Sequence, residues 1–199
     1  HWFSTIFGVY VFAGAFWSAV AFIAIVGILL QRTGVLRGVV TMEHYHDLGK
    51  WMFAFTVFWA YIAFSQYMLI WYANLKEETI WFMNRMEHGW GYHSAVLLAL
   101  HFILPFLILL PRGAKRSIPL LSIMAVWFFI MQWFDLHWLA LPGLTALHPE
   151  QPTFSWIDVS AWLGLFGLFV SLFFYRLGRH SLVPVNDPRL SKSIAFENV

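Results

Sequence analysis

The sequence predicts an all-α membrane protein, a bundle of about five transmembrane helices, and three observations support this fold class. Hydrophobic residues make up 60% of the 199 residues and charged residues only 11%, whereas a soluble domain carries about 25% charged residues. Five apolar segments are each long enough to cross about 30 Å of hydrocarbon, which takes about 20 helical residues. No strand pattern appears, and an open sheet exposed to lipid could not satisfy its backbone hydrogen bonds.

The apolar segments are separated by charged or proline-containing connections. We expect 74–93 to lie along the membrane surface and 142–155, which contains several prolines, to lack helix. Residues 1–181 then form the helical bundle, and 182–199 form a loosely structured polar tail. We place the five spans near residues 6–30, 51–73, 94–111, 118–141 and 156–176.

Basic residues divide the ends of the spans into two classes. The side that holds the C-terminal tail carries ten of the twelve Lys and Arg residues, and the opposite side carries only Lys76 and Arg85, beside several glutamates. The positive-inside rule therefore predicts that the N-terminus lies outside and the C-terminus lies in the cytoplasm. The ten basic residues are Arg32, Arg37, Lys50, Arg112, Lys115, Arg116, Arg176, Arg179, Arg189 and Lys192.

The chain contains no cysteine, and its net charge is +2. Without cysteine it has no thiolates for a disulfide, a Cys-ligated zinc, an iron–sulfur cluster or a covalently attached c-type haem. The small, dispersed charge argues against nucleic acid binding. Two histidines could ligate haem only if they faced each other across helices, and His101 and His137 are expected at different depths. No metal site is predicted.

Polar side chains inside the spans are the candidate functional residues, because an ionisable group in hydrocarbon costs about 2.5–3.5 kcal/mol on insertion scales. Gln132 and Asp135 are three residues apart and share a helix face, while His137 points roughly the other way. Pro105 cannot donate to the carbonyl of His101 and can kink that helix. With alternating helix directions, these groups collect in the outer half. The candidates for quinone binding or proton transfer are His101, Asp135, His137, Gln132, Gln66 and Asp158.

Most of these candidates also fit a purely structural role. Asp135 and His137 lie within about two turns of a helix end, where polar side chains can reach the headgroups. Asp158 follows Ser155, and an acidic side chain in the first turn of a helix is stabilised by the positive end of the helix dipole. Gln66 fits an interhelical hydrogen bond.

A second polar cluster lies at the predicted cytoplasmic start of span two. It could collect protons, because histidine titrates near neutral pH. The same residues also fit an ordinary charged helix start, where acids favour the N-terminus. The cluster consists of Glu43, His44, His46 and Asp47, followed by Lys50.

Spans one and five carry pairs of small residues four apart, which let helix backbones approach closely. We expect them to pack within the bundle or against a neighbouring subunit. If these pairs pack against a neighbouring subunit, they favour an assembly function for the chain. The pairs include Gly14 with Ser18, Ala15 with Ala19, Ser160 with Gly164, and Gly167 with Ser171.

Two stretches resemble the F subunit of bacterial alternative complex III, a quinol:cytochrome c oxidoreductase. They are EHYHDLGKWMFAFTVFWAYIAFSQYMLIWYANLKEET, from Glu43 to Thr79, and HWFSTIFGVYVFAGAF at the start of the chain. The resemblance covers roughly residues 1–80, and WFDLHWL further along agrees with it. The F subunit belongs to the polysulfide-reductase-type (NrfD-like) membrane family. The resemblance implies about ten spans in the whole subunit, of which this chain would be the C-terminal half.

The resemblance also implies a setting in the bacterial inner membrane. The partners would be an NrfD-like paralogue, subunits that carry iron–sulfur clusters and c haems, and membrane lipid. This chain would bind no redox centre directly, although a quinone or quinol could contact it. We therefore expect a membrane subunit that contributes to quinone binding or to proton movement. A purely structural subunit, or half of a proton or ion transporter, stays open as an alternative.

Overall fold

The computed structural model describes Ser4 and residues 6–87, 89–147 and 155–197. The described residues form helices and connections without a strand. Five of the helical segments are long and apolar enough to cross a membrane: Phe7–Arg32, Met42–Ala73, Trp90–Leu109, Ile118–Thr145 and Trp156–Leu177. The prediction of an all-α chain with five candidate spans is therefore confirmed.

We number the helices in chain order. The third span combines α4, a π-helical segment at Leu98–Ile103, and α5. The helices are α1 (Phe7–Arg32), α2 (Met42–Ala73), α3 (Lys76–Met83), α4 (Trp90–Leu97), α5 (Leu104–Leu109), α6 (Arg112–Lys115), α7 (Ile118–Leu147), α8 (Trp156–Leu177) and α9 (Leu190–Ile194).

Helix α2 begins about nine residues before the predicted start of span two. Thr41 is its N-cap, and the backbone N–H of Thr41 donates to Nδ1 of His44 at 3.0 Å as part of a capping box. The capping interactions satisfy N–H groups that have no partner within the helix. The predicted connection was therefore too long, because a polar first turn concealed the helix start.

Helix α7 continues past the predicted end of span four, and the expectation that 142–155 lacks helix is wrong for its first part. Pro142 lies inside α7. A single proline removes one backbone donor but leaves the other hydrogen bonds of the helix available. The hydroxyl of Thr145 donates to the carbonyl of Leu141 at 3.2 Å and accepts from Nε1 of Trp90 at 3.2 Å, which fastens this extension to α4. Residues 148–154 of that connection lie outside the described residues.

The remaining connections also contain short helices. Helix α3 occupies part of the 74–93 connection, and α9 forms in the polar tail two residues after Pro188. Nε2 of His44 lies 3.2 Å from the hydroxyl of Ser193. The tail therefore contacts the start of α2 and is more ordered than the sequence predicts.

Helix α1 lies between α2 and α7 and forms the centre of the bundle. Tyr10, Trp17 and Ala21 are buried along it. A Cβ placed on Gly14 would lie 2.3 Å from Oε1 of Gln132, closer than real Cβ contacts allow. The predicted close packing of span one is confirmed at Gly14.

Helix α8 attaches to this core through aromatic rings. The ring centroids of Phe22 on α1 and Phe173 on α8 are 4.9 Å apart. Those of Phe129 on α7 and Phe166 on α8 are 5.8 Å apart. No described residue of α8 is buried, and a Cβ on Gly164 or Gly167 would meet nothing within 4 Å. The small residues of span five therefore do not pack against the part of the chain that the structure describes.

The third span changes its hydrogen-bond register next to Pro105. The N–H of Leu104 donates to the carbonyl of Ala99, as in a π-helix. Because the N–H of Leu104 is used in this way and Pro105 has no N–H, the carbonyl of Leu100 has no donor in the π register. Nε1 of Trp127, from α7, donates to that carbonyl at 3.0 Å. The carbonyl that lacks its helical donor is thus that of Leu100, whereas the sequence predicted the carbonyl of His101, one residue later.

Substitution of Gly14 tests the close approach of α1 and α7. We expect Gly14→Leu to destabilise the protein by about 1–3 kcal/mol, because the side chain must displace buried Gln132. Gly8→Leu is the matched control on the same helix, since a Cβ on Gly8 meets nothing within 4 Å. Thermal unfolding of the detergent-purified protein measures both. Equal melting temperatures for the two variants would contradict this packing.

A double-mutant cycle tests the replacement of the missing backbone bond. We expect Trp127→Phe to cost about 1–3 kcal/mol by leaving a buried carbonyl without a donor. In a Pro105→Ala background residue 105 has a backbone N–H again, and Trp127→Phe should then cost at most half as much as it does in the wild type. Unfolding in mixed detergent gives the four free energies of the cycle. A cost that is unchanged by Pro105→Ala would show that the Leu100 carbonyl does not depend on Trp127.

Candidate functional site

Asp135 lies at the centre of a buried polar cluster that joins three helices. Its side chain is fully buried. The hydroxyl of Tyr10, on α1, donates to Oδ1, and Nε1 of Trp59, on α2, donates to Oδ2 at 3.3 Å. Both carboxyl oxygens therefore accept hydrogen bonds, an arrangement that suits an ionised carboxylate because it has acceptors only. The structure thus places Asp135 inside the bundle.

His101 lies beside this group, between two indole rings. The imidazole centroid is 3.9 Å from the ring of Trp59 and 4.4 Å from that of Trp17, with interplanar angles of 24° and 29°. The side chain is fully buried, and neither ring nitrogen has a hydrogen-bond partner among the described residues. Buried polar atoms normally bond to protein or to ordered water. One nitrogen can therefore donate to a water molecule, and the other can accept from water or take up a transferred proton.

The Trp17 ring that covers His101 is itself fixed. Its Nε1 donates to the hydroxyl of Thr56 at 3.0 Å, and its indole stacks on Phe128 with centroids 3.7 Å apart. The Thr56 hydroxyl donates in turn to the carbonyl of Met52 at 2.9 Å. These contacts leave the imidazole little freedom to rotate.

Two amides extend the polar layer. Gln132 precedes Asp135 by one turn and packs against Gly14, so the predicted shared face of Gln132 and Asp135 is the face that meets α1. Oε1 of Gln132 and Nε2 of Gln66 are buried and have no hydrogen-bond partner among the described residues. Gln66 lies two turns beyond Trp59 on the buried face of α2. Both amides are therefore positioned to bond to water inside the bundle.

Arg85 is part of the same region, although its sequence position suggests only a loop residue. It is 2% exposed, and its Nη2 donates to the carbonyl of Leu139 at 2.6 Å. Its guanidinium carbon lies 3.3 Å from the ring centroid of Trp81. Burial lowers the pKa of Arg85 from its ordinary value to about 9, and the electrostatic interaction with Tyr10 opposes this shift. The guanidinium is thus still cationic at neutral pH.

Two predicted candidates lie apart from the cluster. His137 is half-buried, with ring centroids 5.3 Å from Trp133 and 6.5 Å from Trp90. Asp158 accepts from the N–H of Ser155 at 3.0 Å in the capping box of α8. The arrangement therefore gives Asp158 the helix-capping role that the sequence left open as an alternative.

The Glu43–Lys50 residues lie in the first turns of α2 and are engaged there. Glu43 forms an ion pair with Arg116 and lies 3.9 Å from Nδ1 of His46. Asp47 pairs with Lys50 at 2.6 Å. These contacts are those of a charged helix start, and they also tie α2 to the α6 segment.

Lys115 stabilises the same end of the bundle. Its Nζ donates to the carbonyls of Leu109 and Leu110 at 2.7 and 2.9 Å, where α5 ends. A cation at this position is stabilised by the negative end of the helix dipole, and it donates to carbonyls that lack backbone donors. Burial lowers the pKa of Lys115.

The described residues contain no group of three or more His, Cys, Asp or Glu side chains that could hold a metal ion. No protein family model matches the chain, and the comparison with curated proteins gives no match. The case for a function therefore depends on the cluster itself and on the resemblance of the first two spans.

Several residues of the cluster have no polar signature in the sequence. Tyr10, Trp17, Trp59 and Thr56 fit an apolar or interfacial helix equally well. Their alignment at intervals of three to seven residues on α1 and α2 was an available signal, because such residues share one face of a helix.

The Tyr10–Asp135 bond can be tested by its contribution to stability. We expect Tyr10→Phe to cost about 1.5–3 kcal/mol, the usual range for a hydrogen bond to a charged group. The same change in an Asp135→Asn background should cost less, because the acceptor is no longer charged. Tyr175→Phe, on an exposed position of α8, is the control. Equal costs in both backgrounds would rule out this bond as a charge-assisted one.

Proposed function

We propose that this chain is an integral membrane subunit of a respiratory quinol-oxidising complex similar to alternative complex III, and that its buried cluster moves protons. The observation that supports this most directly is the carboxyl group of Asp135, enclosed by Tyr10 and Trp59 and adjoining the unbonded imidazole of His101. Carboxylate, phenol and imidazole are groups that accept and release protons. Such groups are costly inside an apolar bundle, and polar groups buried there usually have a function.

The geometry favours proton transfer over direct binding of a quinone headgroup at Asp135. Tyr10 and Trp59 already bond to the two carboxyl oxygens. Both faces of His101 are covered by indole rings. A quinone carbonyl would have to displace these side chains, whereas a water molecule needs only the edge of the imidazole.

The orientation belongs to the same proposal. The positive-inside rule puts the end of the bundle with Arg116 and Lys115 in the cytoplasm. Asp135, in the second half of α7, then lies toward the outer face. Protons from quinol oxidation would be released on that side, and the partners would be the iron–sulfur and c-haem subunits of a bacterial inner-membrane complex.

An assembly role is the second candidate, and α8 supports it. This helix buries none of its described residues within the chain, and its small residues Gly164 and Gly167 face open space. Bulky substitutions at these glycines would then release partner subunits without changing the cluster. Retention of every partner by Gly164→Leu would remove this candidate.

Activity of the assembled complex tests proton transfer. We expect Asp135→Asn and His101→Ala each to lower quinol-dependent reduction of the electron acceptor at least tenfold, because proton removal limits quinol oxidation. Asp187→Asn, in the exposed tail, is the control for a lost carboxylate. Subunit content is measured on the same preparations.

Wild-type turnover and wild-type proton release in both variants, with all subunits present, would contradict the proposal. A loss of turnover that follows only from loss of subunits would support the assembly role instead.

A further inference from the structure

A cavity of about 520 Å³ lies at the end of the bundle that carries Arg116 and Lys115. Helix α1, the first turns of α2 and the last turns of α8 line it, together with residues of the α1–α2 connection and of the segment after α8. Its volume is within the usual range of ligand pockets, about 300–1,000 Å³. The cavity is therefore large enough to hold part of a ligand.

The cavity follows α1 and is mostly apolar. Its lining on α1 runs from Phe22 to Leu30, which covers about 12 Å of helix axis. At the end away from the connection, Phe22 meets Phe173 of α8, with ring centroids 4.9 Å apart. Ile23 and Val26 lie between these limits. An apolar space that runs along a membrane span suits a hydrocarbon chain.

One buried hydroxyl adjoins this space and lacks a partner. Tyr45, in the first turns of α2, lines the cavity and is 1% exposed, and its hydroxyl has no hydrogen-bond partner among the described residues. A Cβ on Gly27, which also lines the cavity, would lie 3.6 Å from the hydroxyl oxygen. Buried polar atoms normally bond to protein or to a bound molecule. A carbonyl oxygen in the cavity could accept from Tyr45.

The other polar residues of the lining are already engaged. Nδ1 of His44 accepts from the N–H of Thr41, and Asp47 pairs with Lys50 at 2.6 Å. The lysine balances the charge of this carboxylate. The lining therefore presents a ligand with an apolar wall and the hydroxyl of Tyr45.

The segments that close the cavity at the basic end carry positive charge. Residues 30–40 and 171–183 contain four arginines and no acidic residue, and all four arginines are exposed. Both segments contribute to the lining, and Leu36 of the lining is next to one of the arginines. Basic sites between helices near the membrane surface bind anionic lipid headgroups. The arginines are Arg32, Arg37, Arg176 and Arg179.

We propose that this cavity binds one anionic glycerophospholipid from the leaflet on the basic side of the bundle. An acyl chain lies along α1 as far as the contact of Phe22 with Phe173, an ester carbonyl accepts from Tyr45, and the phosphate lies near the exposed arginines. Tyr45 and Trp59 are separated by about 21 Å along α2. The lipid site is therefore independent of the proposed proton transfer at Asp135.

Native mass spectrometry of the full protein, purified from its membrane in detergent and titrated with phosphatidylglycerol, tests the inference. We expect phosphatidylglycerol to bind about fivefold or more tightly than phosphatidylcholine with the same acyl chains, because its net charge complements the arginines. Gly27→Leu fills the space beside Tyr45 and should weaken this binding about tenfold or more. Gly8→Leu is the control on the same helix, since a Cβ there meets nothing within 4 Å.

Two further variants separate the parts of the site. Ile23→Trp narrows the cavity from an exposed position of α1, and it decides the question if Gly27→Leu does not fold. Tyr45→Phe should weaken phosphatidylglycerol binding about two- to tenfold, the contribution of one hydrogen bond. Tyr72→Phe, at an exposed position of the same helix, should not change it.

Equal affinity of the wild type and of the folded cavity-filling variants for phosphatidylglycerol would overturn the inference. Equal binding of phosphatidylglycerol and phosphatidylcholine would also overturn it, because the arginines would then select no headgroup. Displacement of phosphatidylglycerol by an equimolar long-chain quinone would make a quinone the occupant and would reject the phospholipid.

Discussion

The arrangement of the cluster depends on the burial of one carboxyl group. The carboxyl oxygens of Asp135 lie in the apolar interior of the bundle, and donors from two other helices offset the cost of burying them. Because the donors are Tyr10 on α1 and Trp59 on α2, the same bonds fix the positions of three spans relative to one another. The bonds that satisfy the acid are also bonds between helices.

The aromatic residues extend this constraint outward. Trp59 bonds to Asp135 and stacks on His101, while Trp17 covers the other face of the imidazole and bonds to Thr56. The π-helical segment brings His101 into this stack, and Trp127 satisfies the carbonyl of Leu100 beside it. A change in hydrogen-bond register, a proline and an indole donor are therefore parts of one arrangement. π-Helical turns of this kind are frequent at functional sites.

The sequence predicted the spans well because length and apolar composition are properties of each segment alone. It placed Gln132 and Asp135 on one face for the same reason, since helical periodicity is local. It could not predict that Tyr10 meets Asp135, 125 positions away, because a tyrosine near a helix start also suits the membrane interface. Arg85 was missed because a charge in a connection is usually solvated, and only the fold shows it beneath two indoles.

A cryo-EM map of the protein in its native complex, with quinol present, tests whether the buried carboxyl group of Asp135 keeps its two donors. We expect Tyr10 and Trp59 to stay bonded to Asp135, and any added density at the nitrogens of His101 to be the size of water. Headgroup density bonded to Asp135 in place of either side chain, or an Asp135 side chain turned toward lipid, would contradict this expectation.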